Sequence, residues 1–122
     1  LSAASLPGGA IAESLSAAIA RDPALEAHLG RHAPVEESPF TALNTAFLRE
    51  GAFVHVPARV ELPAPVHVLF VTTAEAEGAV AHPRNLFIVE REARASIIES
   101  YVTLAPGEPY WTNPVAQVWS AR

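Results

Sequence analysis

Val66-His67-Val68-Leu69-Phe70-Val71-Thr72 reads as a strand that is apolar on both faces, since Val66, Val68 and Phe70 alternate with His67, Leu69 and Val71. Such a strand needs cover on each side, as in a closed barrel, a solenoid or a covered sheet. Four more runs share its Val-, Ile-, Phe-, Tyr- and Trp-rich character: residues 53–56, 86–89, 96–104 and 115–120. Pro, Gly, Asn or charged clusters separate them. Their centres fall about 12 to 18 residues apart, too irregular to name a repeat from spacing alone.

Upstream of Gly51 the period changes. Ile11, Leu15, Ala18 and Ile19 stand at helical spacing over residues 10–20. Asp22-Pro23 reads as an N-cap followed by Pro in the first helical position, with Leu25 and Leu29 on one face and Gly30 as the stop. Ser38-Pro39 repeats the start signal, Phe40, Leu43, Phe47 and Leu48 recur three and four residues apart, and Gly51 ends the helix. The expected class is α+β, with a helical region over residues 1–50 and a β region over 51–122.

Composition excludes several functions. There are 13 acidic and 8 basic residues, a net charge of -5, and the basic residues are all Arg, scattered singly. Nucleic acid would meet no basic stripe. Without Cys there is no disulfide, thiolate nucleophile or cysteine-held zinc, and without Lys there is no Schiff base and no phosphate-loop lysine. No apolar run approaches the roughly 20 residues of a membrane span, and Glu13 interrupts an Ala-rich start that lacks a basic leader. A cytoplasmic location is expected. The absence of Met behind Leu1 leads us to expect an internal start, and the apolar finish at Val118-Trp119 a second cut, leaving a strand edge open to self-association.

Candidate chemistry is sparse. His28 and His32 have the i, i+4 spacing of a ligand pair, but Gly30 lies between them and a polar helix end explains them better. His55 and His67 occupy neighbouring strands and could converge. Residues 51–62 faintly resemble a cupin, yet its His-x-His pair with a following Glu is missing. In His82-Pro83-Arg84-Asn85 we expect a turn leading into a strand, Pro83 holding His82 extended and Asn85 suiting the turn, with Arg84 alone too little for an anion site. Glu90, Glu92 and Glu99 lie among Arg91 and Arg94, which suggests surface pairs worth about 0–1 kcal/mol. Gly8-Gly9, read as a helix start, lacks the preceding strand of a phosphate loop. Adjacent Tyr110 and Trp111 point to opposite faces and need only packing to explain them. No catalytic constellation emerges.

The phrase Pro39-Phe40-Thr41-Ala42-Leu43-Asn44-Thr45-Ala46-Phe47 resembles the helix before the β core in the SufB/SufD family, scaffold subunits of SUF iron–sulfur cluster assembly. The likeness continues in family order through Gly51-Ala52-Phe53-Val54-His55-Val56-Pro57, Leu62-Pro63-Ala64-Pro65-Val66-His67-Val68, His82-Pro83-Arg84-Asn85-Leu86, Glu99-Ser100-Tyr101 and Thr112-Asn113-Pro114-Val115, covering roughly residues 22–120. The wording around Asn44 is nearer to SufD than to SufB. The resemblance implies the first coils of a right-handed parallel β-helix after a helical region, cut at the C-terminus, with the helix of Phe40, Leu43 and Phe47 docked on those coils. It implies SufB and the ATPase SufC as partners of the full-length parent. The parent complex's cofactors (the iron–sulfur cluster, ATP on SufC, and flavin as an open case) are expected to leave this segment without any. The family's cluster-building Cys and His positions fall later, so catalytic, cofactor and metal residues are all expected to be none. The family's helical region exceeds 50 residues, so residues 1–20 stand outside what the resemblance fixes. The rivals are a cupin-like or other β-barrel metalloenzyme using His55 and His67, and a β-sandwich binding module.

Overall fold

The computed structural model describes residues 4–31, 33–73, 79–104 and 109–121. Their order is β1 (Ala4–Ser5), β2 (Ile11–Ser14), α1 (Leu15–Arg21), α2 (Glu26–Leu29), α3 (Pro39–Ala46), β3 (Ala52–Val56), β4 (Val66–Thr72), β5 (Ala79–Ala81), β6 (Arg84–Val89), β7 (Ile97–Thr103), β8 (Tyr110–Thr112) and β9 (Val115–Ser120). The class is α+β. The start signals work as local chemistry requires: the Asp22 side chain accepts from the Ala24 amide, and the Ser38 side chain from the Phe40 amide.

The strands form three sheets, ordered β1-β2-β3-β6-β9, β4-β7 and β5-β8. From β3 onward every pairing is parallel. The chain therefore visits three sides in turn and then lays each next strand beside its predecessor. Ala79 pairs with Tyr110 and Arg84 with Val115, each 31 residues on. Phe53 pairs with Leu86, 33 residues on, as does Glu61 with Arg94. The register closes to 31 at Val66 and Ile97 because the first corner holds residues 62–65 where the second holds only 95 and 96. A repeat is present after all; three sides of unequal length hid it from strand spacing. The described strands build neither a closed barrel nor an antiparallel sandwich.

Two apolar clusters sandwich the first sheet. Inside, Val54, Val56 and Phe87 meet Val68 of β4; outside, Phe53, Leu86 and Ile88 meet Leu15, Ala18 and Leu25 of the helical head. Cover on both faces thus belongs to β3 and β6. On β4, whose sequence demanded it, Val68 is buried while Leu69 and Val71 remain 51% and 44% exposed. Ile98 and Val102 of β7 continue that open face.

The head also departs from expectation. Ile11 belongs to β2, and the helix starts only after Ser14, whose hydroxyl accepts from the Ala17 amide. β2 runs antiparallel to β3 and covers its edge, with β1 folded back beyond it. Gly8 and Gly9, at φ of +70° and +79°, make the hairpin turn rather than a helix start. Gly51 does not stop α3, which ends at Ala46. It is Gly because a Cβ there would lie 1.5 Å from the Arg84 carbonyl oxygen.

Candidate functional site

His82-Pro83-Arg84-Asn85 and Thr112-Asn113 come to lie against α3, and buried polar side chains join them. Arg84 opens β6 and is 1% exposed. Its Nε donates to Asn44 Oδ1 (2.8 Å), one terminal nitrogen to Gln117 Oε1 (3.3 Å), and the other to Thr45 Oγ1. These partners are all neutral, so the charge is held by dipoles, and burial lowers the guanidinium pKa from its ordinary value.

Asn44 sits on α3 with no exposure. Its Nδ2 donates to the carbonyls of Pro83 (2.9 Å) and Asn113 (2.8 Å) while its Oδ1 holds Arg84. Both donor hydrogens and the acceptor are used. Asn113 returns the contact, donating through Nδ2 to the Phe40 carbonyl (2.8 Å) and to His82 Nδ1 (3.3 Å). Gln117 donates to the Leu29 and His28 carbonyls at 2.9 and 3.2 Å, satisfying groups that the end of α2 leaves open. The helical head is thereby locked to β6 and β9.

Asn85, adjacent on the strand, points to the opposite face. Its Oδ1 accepts from the Ala52 amide (2.8 Å) and its Nδ2 donates to Glu99 (3.0 Å), which also accepts from the Tyr101 hydroxyl (2.8 Å). Burial first, and then this bond to Glu99, push the Tyr101 hydroxyl above the usual tyrosine range.

The other candidates do not assemble. His55 Nε2 lies 2.8 Å from Glu90, and the bond to His55, then that from the Ala58 amide, holds the Glu90 carboxyl below the usual range. His67, on another sheet, meets Ser100 Oγ at 2.9 Å. Each histidine has its own partner, and no group of three or more His, Asp or Glu is placed to hold a metal among the described residues. His28 lies in the last turn of α2 beside Trp119, with ring centroids 6.0 Å apart, and His32 lies outside the described residues. Of the three carboxylates expected in surface pairs with Arg91 and Arg94, Glu92 pairs with Arg91 (4.0 Å) and also with Arg59 (3.5 Å), whereas Glu90 turns to His55 and Glu99 to Asn85 and Tyr101. No helix of the described residues is long and apolar enough to cross a membrane.

Docking of α3 corrects the apolar-stripe expectation. Phe40 and Phe47 are each 59% exposed, and the buried residue is Asn44. Residue patterns alone missed Asn44, Asn113 and Gln117. The available signal was an Asn or Gln set within an otherwise apolar helix or strand.

The family model described as the SufBD protein N-terminal region matches residues 1–68, more than half of the chain. The chain belongs to the SufB/SufD family. Over 87 residues it is 34% identical to the iron–sulfur cluster assembly SufBD family protein of Synechocystis, covering 66% of this chain and 19% of the relative. It is 30% identical over 92 residues to the chloroplastic SufBD family protein of Arabidopsis thaliana (75% and 16%) and 26% identical over 84 residues to SufD of Bacillus subtilis (69% and 19%). The chain spans about a fifth of the length of these curated relatives. All six phrases that carry the SufB/SufD resemblance supply described residues, and three of them meet at the lock.

Proposed function

We propose that this segment is the N-terminal-to-middle part of a SufD-like scaffold, acting in cytoplasmic iron–sulfur cluster assembly with SufB and the ATPase SufC. It holds no catalytic centre of its own, and its coils begin a right-handed parallel β-helix. The observation that carries the reading is the fate of the family phrases: Asn44, Arg84 and Asn113 bond to one another, to Thr45, His82 and Gln117 and to backbone, which supports a role in shape rather than as reacting groups. Three parallel ladders with a 31-residue offset support the β-helix. The names of the Synechocystis, Arabidopsis and Bacillus relatives support the assembly role, and the wording around Asn44 supports the SufD branch.

The test is purification of the tagged parent protein from its own cells. SufB and SufC should accompany it in fixed proportion, and cells lacking the parent should lose activity of their iron–sulfur enzymes. A parent that purifies alone, and whose loss leaves those enzymes fully active, contradicts the proposal. Metal analysis addresses the metalloenzyme rival: stoichiometric zinc, iron or manganese on the purified chain, lost in His55→Ala, would favour that rival instead.

A further inference from the structure

Asn113 fixes the protonation state of a neighbouring ring. Its Nδ2 carries two hydrogens, one donated to the Phe40 carbonyl (2.8 Å) and one to His82 Nδ1 (3.3 Å). The Phe40 carbonyl can only accept, so the amide nitrogen of Asn113, not its oxygen, must face α3. The same nitrogen meets the His82 ring and can accept nothing from it. His82 Nδ1 is therefore the bare acceptor of a neutral imidazole, whose proton sits on Nε2.

The ring has little freedom to avoid this contact. Pro83 restricts His82 to extended backbone, and the carbonyls on either side, of Ala81 and Pro83, accept from the Asn113 and Val115 amides at 2.9 and 3.0 Å. Phe47 stacks on the ring at 5.4 Å with 20° between the planes, and Trp111 meets it edge-on at 5.6 Å. Two arrangements remain when the ring takes up a second proton. Kept in place, it turns an N–H toward the Asn113 N–H; rotated half a turn, it presents a C–H there. Either way Asn113, only 7% exposed, loses the acceptor for one buried hydrogen. The imidazolium itself is not expelled, because the face of Phe47 attracts a cation.

We propose that His82 is a proton-sensitive latch between α3 and the strands. Neutral, it holds Asn113 and through it the first turn of α3. Protonated, it passes to Phe47 and removes one hydrogen bond from the joint. Acidification thus loosens α3, while the apolar docking of Leu15 and Ala18 stays closed. The other ionisable groups at this corner are few. Arg49 and Glu50, which follow α3, and Tyr101 of β7 line the same cavity as His82. Arg84 of β6 reaches α3 through Asn44 and Thr45, and Tyr110 precedes Trp111 on β8. Arginine and tyrosine keep their protons in the range where histidine titrates, so Glu50 is the group to control for. The latch does not rest on the iron–sulfur role.

Two measurements on the full chain test it. Long-range proton–nitrogen NMR reads histidine tautomers, with the His82 signals assigned by their absence in His82→Gln; at about pH 8, where histidine is neutral, His82 should carry its proton on Nε2. Hydrogen exchange over residues 39–47, corrected for its intrinsic pH dependence, then compares about pH 7.5 with about pH 5.5. Protection of α3 should fall roughly three- to ten-fold on the acid side, the worth of one hydrogen bond, with β3 and β6 unchanged. Glu50→Gln should keep this response. His82→Gln, which offers an acceptor that does not titrate, should abolish it, and His82→Phe, a ring without an acceptor, should exchange fast at both pH values. The proton on Nδ1, equal protection of α3 at the two pH values, or an acid response that survives in either His82 variant would each overturn the proposal.

Discussion

Two helices of the head meet the same sheet in different ways. α1 docks by apolar burial: Leu15 and Ala18 press on Phe53, Leu86 and Ile88. α3 docks by hydrogen bonds, burying Asn44 while Phe40 and Phe47 face out. The difference lies in what the sheet offers each of them. Opposite α1 it presents side chains without polar atoms, so transfer from water drives contact. Opposite α3 it presents the Pro83 and Asn113 carbonyls and the Arg84 guanidinium, which only polar partners can satisfy. An apolar stripe identifies the docked face of a helix only when the opposing surface is apolar too.

Substitutions can break that comparison, beginning with the largest effect. Gly51→Ala should prevent folding or cost more than about 4 kcal/mol, because backbone at the Arg84 carbonyl must move. It strikes both docking modes, since the Gly51 carbonyl accepts from the Leu15 amide and the Glu50 carbonyl from the Arg84 amide. Circular dichroism of the purified variant is the check. On the apolar side, Leu15→Ala should cost about 2–5 kcal/mol in denaturant unfolding, as its side chain is fully enclosed.

Tyr101 sharpens the polar side through pH. Its folded hydroxyl ionises above the unfolded value of about 10, so in the interval between them the unfolded chain has released a proton that the fold retains. Stability from this source is fully present below about pH 10 and is lost as pH rises through the folded value. Urea midpoints on either side of that pH should fall at the alkaline side, and Tyr101→Phe should flatten the decline; parallel slopes would contradict the assignment.

The smallest effect concerns the stacked corners, where Arg59 and Glu92 hold φ of +62° and +60°. Glu92→Gly relieves that backbone cost while giving up the ion pair with Arg59. Thermal unfolding should show a gain of no more than about 1 kcal/mol.

What the sequence disclosed was local. β4 and β9 begin and end where their residue types change, and the caps at Asp22 and Ser38 are chemistry confined to a few neighbours. What it concealed was set from far away. Ile11 fits a helical stripe with Leu15, but pairing across to His55 makes it strand. β5 and β8, three residues each, are too short to carry a pattern and exist by pairing with one another. Gly51 looks like a helix stop, whereas its reason is a carbonyl 33 positions away. Cover of β4 was over-read, since apolar composition on both faces does not supply a second layer. For the lock, the resemblance was the better guide. Its phrases pointed to Asn44, Arg84 and Asn113, although nothing in the phrases said that these side chains meet.

The central claim is that hydrogen bonding, not aromatic burial, holds α3 in place. Denaturant unfolding of Asn44→Ala and Phe47→Ala under identical conditions tests it most directly. Asn44→Ala strands two carbonyls and an Arg84 donor, so it should cost about 2–4 kcal/mol, against less than about 1 kcal/mol for the exposed Phe47. The reverse order, with Phe47→Ala the more damaging of the two, would contradict the account.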